Sequence, residues 1–124
     1  MSKETKSLTI ERIMNSLEAL REISNEDIPL KAAVRITRTI KEVDNVLEVF
    51  NDSKKKLFEK YGEEVEGQEG SRIKEENVEV FNEKYIELLK QEVDIDFVEV
   101  DVEDLGDINV KPSVLMTLDW FISL

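Results

Sequence analysis

The chain has 124 residues, 40% apolar and 37% charged, with a formal net charge of −12 and neither Cys nor His. That composition excludes a disulfide, a thiol nucleophile, a zinc–thiolate site and the imidazole that most often acts as base or metal ligand at neutral pH. The charge is uneven: residues 1–62 hold 12 Lys+Arg and 11 Asp+Glu, whereas residues 63–124 hold 5 and 18. Such a surface repels nucleic acid and anionic lipid and attracts basic protein surfaces.

At this length one domain, residues 1–124, is expected. It divides into a charge-neutral helical part (about 1–62), an acidic flexible loop (63–76) and an acidic helix–strand–helix part (77–124). The opening Met1 to Lys6 has no apolar leader, and no run approaches about 18 apolar residues. A cytoplasmic protein with no membrane segment is expected.

The first helix is predicted from about Thr9, with Ile10, Ile13, Met14, Leu17, Leu20 and Ile23 on one face. Residues 24–27 break it, and Pro29 opens the second, where a missing N–H costs nothing. From about Leu30 to Tyr61 the positions Ala33, Ile36, Ile40, Val43, Leu47, Phe50, Lys54, Leu57 and Tyr61 alternate by three and four. This is a heptad seam with one polar interruption, ended by Gly62. A straight helix of that span is about 48 Å long, against a domain roughly 35 Å across. It must bend, protrude, or be covered by a second protomer, so a homodimer through the 30–61 helix is one expectation.

Residues 63–74, with two Gly and little periodicity, read as an acidic loop or loose hairpin. A third helix follows, capped by Asn77, with Val78, Phe81, Tyr85, Leu88 and Leu89 inward. The period then becomes two: Val93, Ile95 and Phe97, then Val98, Val100 and Val102. The phase flips between Phe97 and Val98, which calls for a bulge or two short strands. After a turn at Asp104–Asp107, Ile108–Val110 is predicted to pair back as a strand. A last helix opens at Lys111-Pro112-Ser113 and carries Val114, Leu115, Leu118, Phe121 and Ile122, with Trp120 at its edge. The expected fold is α+β and helix-dominant. A long central helix lies in a helical hairpin or bundle, with a β element of two or three strands and a C-terminal helix.

Acid–base or metal chemistry would have to use Asp94, Asp96, Glu99, Asp101, Glu103, Asp104 and Asp107, because both need converging carboxylates. Alternation along a strand spreads these groups instead, and neither a calcium-loop pattern nor a Gly-rich phosphate loop is present. No enzyme, metal or cofactor is expected. Lys31, Arg35 and Arg38 share one face of the second helix. In so negative a molecule they read as an internal or intersubunit match to the acidic half rather than a nucleic-acid contact.

The stretch Leu30 to Asp44, its continuation Lys55 to Glu63, the acidic Gly-containing linker, the spacing Phe81, Tyr85, Leu88, Leu89, the strand Glu92–Ile95 and a closing Leu-rich helix together resemble small acidic phage and prophage proteins of Gram-positive hosts. The resemblance runs from Leu30 to the C-terminus and implies a phage setting in the host cytoplasm. It implies no active site, and two roles: inhibition of a host system, or service in particle assembly.

The expected function is a non-enzymatic interaction protein that binds a basic protein surface. The groove of a nucleic-acid-binding defence protein is one such surface, occupied by charge mimicry. The expected contact residues are Glu63, Glu64, Glu66, Glu69, Asp94, Asp96, Glu99, Asp101, Glu103, Asp104 and Asp107, with Phe97, Trp120 or Tyr61 as anchors if exposed and as core if not. The competing expectation is an assembly or chaperone-like component that works through the long helix.

Overall fold

One helix of 32 residues, α2 (Leu30–Tyr61), organises the computed structural model, which describes residues 3–64 and 71–124, with backbone alone at Glu63, Glu64, Ser71 and Arg72. No Gly or Pro interrupts α2, so nothing in its interior opposes propagation. Pro29, at φ −56°, accepts the Ala33 N–H at its carbonyl. Gly62 ends the helix with extended backbone (φ −93°, ψ 171°) and not the left-handed turn of a glycine cap.

The buried stripe of α2 is Ala32, Ile36, Thr39, Val43, Leu47 and Phe50. The predicted seam is therefore corrected at its start: Ala33 and Ile40 are only half-buried, and Ala32 and Thr39 take the inner places. A strict 3.5-residue seam drifts around a straight 3.6-residue helix, and α2 here packs against several elements rather than one coiled-coil partner. The hydroxyl of Thr39 is satisfied inside the helix, donating to the Arg35 carbonyl at 2.9 Å.

Before α2 comes α1 (Ile10–Ser24), whose N-cap Thr9 accepts the Arg12 N–H at its hydroxyl. Its buried face is Ile10, Ile13, Ser16, Ala19, Leu20 and Ile23; Met14 is exposed and Leu17 half-buried. The short link 25–29 folds α1 back on α2.

After α2, strands β2 (Gly62–Glu64) and β3 (Ser71–Ile73) pair antiparallel, so the hairpin form of the acidic linker is the one adopted. Residues 65–70 lie outside the described residues. Helix α3 (Val78–Lys90) then returns along the second half of α2. Asn77 does not cap α3 with its side chain; its Nδ2 donates to the Tyr61 carbonyl, tying the start of α3 to the end of α2. Phe81 is buried, Tyr85, Leu88 and Leu89 are half-buried, and Val78, predicted inward, is exposed. Rings continue the core where the aliphatic stripe stops: Phe58 meets Phe81 at 4.9 Å between centroids, and Tyr85 lies 6.0 Å from Phe81 and 6.2 Å from Phe50. Lys54, the polar interruption, puts its ammonium 5.5 Å from the Tyr85 ring centre and 6.0 Å from that of Phe58. The far end of α2 is thus covered by its own chain, through α3 and the hairpin.

Strand β1 (Glu4–Thr9) pairs antiparallel with β4 (Glu92–Phe97), from Glu4 opposite Phe97 to Thr9 opposite Glu92. The alternation of β4 is as expected, whereas β1, with Leu8 as its one apolar residue, has no such signal. The phase flip after Phe97 is resolved as two strands. β5 (Val100–Asp101) leaves the first sheet and pairs parallel with β6 (Ile122–Ser123). A 3-10 turn, Val102–Leu105, ends at Gly106, whose φ of +75° suits glycine and where a Cβ would meet Pro29 Cδ at 3.3 Å.

Ile108–Val110 does not form the predicted strand; Ile108 and Val110 pack half-buried against the core without a ladder partner. The last helix, α4 (Pro112–Thr117), has six residues, and a turn at Leu118 folds Phe121 and Ile122 back inward. Trp120, expected at the edge, is only 4% exposed and stands edge-on to Phe97 at 5.1 Å. Its indole N–H donates to the buried Ser16 hydroxyl at 2.9 Å. The fold is α+β and helix-dominant, with a long central helix, small two-stranded sheets and further helices.

Candidate interaction site

The register of β1 against β4 sorts the strand carboxylates. Val93, Ile95 and Phe97 face inward, so Glu92, Asp94 and Asp96 share the outer face with Thr9, Ser7 and Thr5 opposite them. Thr5 donates its hydroxyl to Asp96. Glu92 was not among the expected contact residues; its place in the alternation of Val93, Ile95 and Phe97 is the signal that identifies it.

The remaining expected residues do not join this row. Glu99 is half-buried after β4, and its carbonyl accepts Arg35 Nη1 at 3.0 Å. Asp101 lies on β5, in another sheet, and Glu103 and Asp104 lie in the 3-10 turn. Asp107 is exposed beyond Gly106. Glu63 and Glu64 are backbone partners in β2, while Glu66 and Glu69 lie outside the described residues. A second row stands on α3, where Glu79, Glu83 and Glu87 are exposed at four-residue intervals. That spacing is legible in the sequence, although these three residues were not among the expected contacts.

The two rows differ from a metal or acid–base site in their divergence. Among the described residues no three carboxylates are gathered closely enough to hold a metal ion. The ion pairs are peripheral and mostly use other groups: Arg12 with Asp119, Arg21 with Asp44, Lys111 with Glu22, and Lys84 with Glu87. Among the described residues Glu92, Asp94, Asp101, Glu103, Asp104 and Asp107 have no cationic partner. Their charges therefore face solvent uncompensated.

Carboxylates on alternate strand residues are about 6.7 Å apart along the strand, and those at four-residue steps on a helix about 6 Å. A DNA duplex shows one charge per ~1.7 Å of axis. A single row is too sparse to imitate a duplex; only several rows read by one groove approach that density. The candidate anchors do not serve either. Phe97 and Trp120 are core, and half-buried Tyr61 lies under the Lys60 ammonium at 5.2 Å. Of the basic stripe, Lys31 is exposed, while Arg35 ties α2 to the backbone of the acidic half. Among the described residues no helix is long and apolar enough to cross a membrane. No protein-family model, curated protein or solved structure matches the chain.

Proposed function

We propose that the protein is a non-enzymatic, phage- or prophage-type acidic interaction protein that binds a basic surface on a host or phage protein. The carboxylates Glu92, Asp94, Asp101, Glu103, Asp104 and Asp107 support this reading most directly: among the described residues none of them has a cationic partner. A basic nucleic-acid groove is the partner surface best matched to several such rows at once, so the biological effect proposed is inhibition of a nucleic-acid-binding defence system in the bacterial cytoplasm. Electrostatic complementarity of this kind acts mostly on association rate and weakens with salt.

The test is affinity capture from nuclease-treated bacterial lysate with parallel low- and high-salt washes, using wild type and a variant with Glu92, Asp94, Asp96, Asp101 and Asp107 neutralised. A basic nucleic-acid-binding protein held at low salt by wild type and lost by the variant supports the reading. Capture that ignores both salt and neutralisation sinks it.

A second reading, particle assembly, is favoured by the outward side of α2, where Leu30 is 79% and Val49 67% exposed. Val49 borders a cleft of about 180 Å³ lined also by Ile10, Val46, Phe50, Leu88 and Val93. Assembly would use this cleft rather than the heptad seam, and it would give a defined oligomer indifferent to salt.

A further inference from the structure

A second cleft, of about 220 Å³, opens between the first half of α2 and the end of β4. Its charged lining is Lys3, Arg35, Arg38, Glu42 and Asp96; Val98 gives it an apolar wall, and Phe97 borders it with its ring packed in the core. Three cations and two carboxylates thus meet at one concavity. Among the described residues Lys3, Arg38, Glu42 and Asp96 form no ion pair with one another. Arg38 and Glu42, one helical turn apart, have the spacing at which opposite charges stabilise a helix by pairing, yet they do not pair. Two groups in the cleft are fixed from behind: Arg35 by the Glu99 carbonyl at 3.0 Å, and Asp96 by the Thr5 hydroxyl. The cleft therefore offers both positive and negative groups around one concavity, with an apolar wall beside them.

We infer that this cleft binds a small zwitterion, a free α-amino acid with an apolar side chain. The ligand carboxylate meets Arg38 and Lys3, the ammonium meets Glu42 and Asp96, and the side chain lies on Val98. A simple anion is the poorer match for two reasons: it would face two carboxylates inside the cleft, and it would approach a molecule of net charge −12. A zwitterion carries no net charge against that field and satisfies both signs at once. The volume suits a ligand of amino-acid size and is below that of a drug-sized site. Of the cleft's lining only Asp96 also belongs to an acidic row, so variants at Arg38 and Glu42 test the cleft separately from the proposed partner binding.

The test is isothermal titration of the full chain with L-leucine and L-phenylalanine, then with N-acetyl-leucine, which keeps only the carboxylate, and leucinamide, which keeps only the ammonium. One-to-one binding of an amino acid is expected, with both blocked forms at least tenfold weaker. Arg38→Ala and Glu42→Gln should each weaken binding about twofold to fivefold, as expected for partly exposed charged contacts. Urea midpoints measured alongside separate lost binding from lost fold, since neither side chain is in the core. Equal binding of N-acetyl-leucine would overturn the zwitterion assignment. Absence of binding by both amino acids up to their solubility limit, or binding unchanged in both variants, would overturn the site.

Discussion

Residues 1–62 are nearly charge-balanced, and residues 63–124 carry all of the net negative charge, so the chain divides electrically near Gly62. Packing follows no such division. β1 from the first part completes the sheet of β4, Trp120 bonds Ser16, and the Phe58 and Phe81 rings meet at a tilt across α2 and α3. The ion pairs Arg12 with Asp119 and Lys111 with Glu22, which join the parts, are exposed, where such pairs contribute little. Cohesion between the halves is thus apolar and directional, and the acidic surplus is left over at the surface. The lesson is that the charge asymmetry contributes to what the protein can meet, not to how it folds.

Breaking the apolar link should cost the most. Phe121 is fully buried against Phe97 and Trp120, and Phe121→Ala is expected to destabilise by about 3–5 kcal/mol in urea unfolding. If the two parts unfold in separate transitions in this variant, the interleaving is weaker than stated. Ser16→Ala strands the buried Trp120 N–H and should cost about 1–3 kcal/mol. A double-mutant cycle with Trp120→Phe sharpens this, because the Ser16 penalty should shrink once the indole N–H is gone. Gly106→Ala should cost about 1–2 kcal/mol from its positive φ and the Pro29 contact.

On the electrical side the expected effects are small. Neutralising Asp94 and Asp101 should change stability by no more than about 0.5 kcal/mol, while reducing low-salt capture of a basic partner. A large loss of stability would show that these exposed carboxylates are structural after all. Arg12→Ala, which removes one exposed link to Asp119, should cost about 0.2–1 kcal/mol, less in high salt.

Much of this was legible in the residues. Helices α1 and α2 and the strand at 92–97 follow from apolar periodicity, a Thr cap, and an uninterrupted run of helix-compatible residues. The acidic surplus is likewise written in composition, as is the four-residue acid spacing of α3. What was not legible depends on partners distant in sequence. Glu4–Thr9 is a strand only because β4 offers it a ladder, and Val100–Asp101 only because the chain returns at Ile122. Ala32 and Thr39 displaced Ala33 and Ile40 because several elements, not one facing helix, decide which arc of α2 is inside. Trp120 went to the core because a turn after a six-residue helix redirected it. The gathering of Lys3, Arg38, Glu42 and Asp96 around one cleft belongs to the same class. Periodicity and charge are local sums that a sequence displays directly; ladders, arcs and clefts are set by which remote segment arrives, and only the tertiary fold decides that.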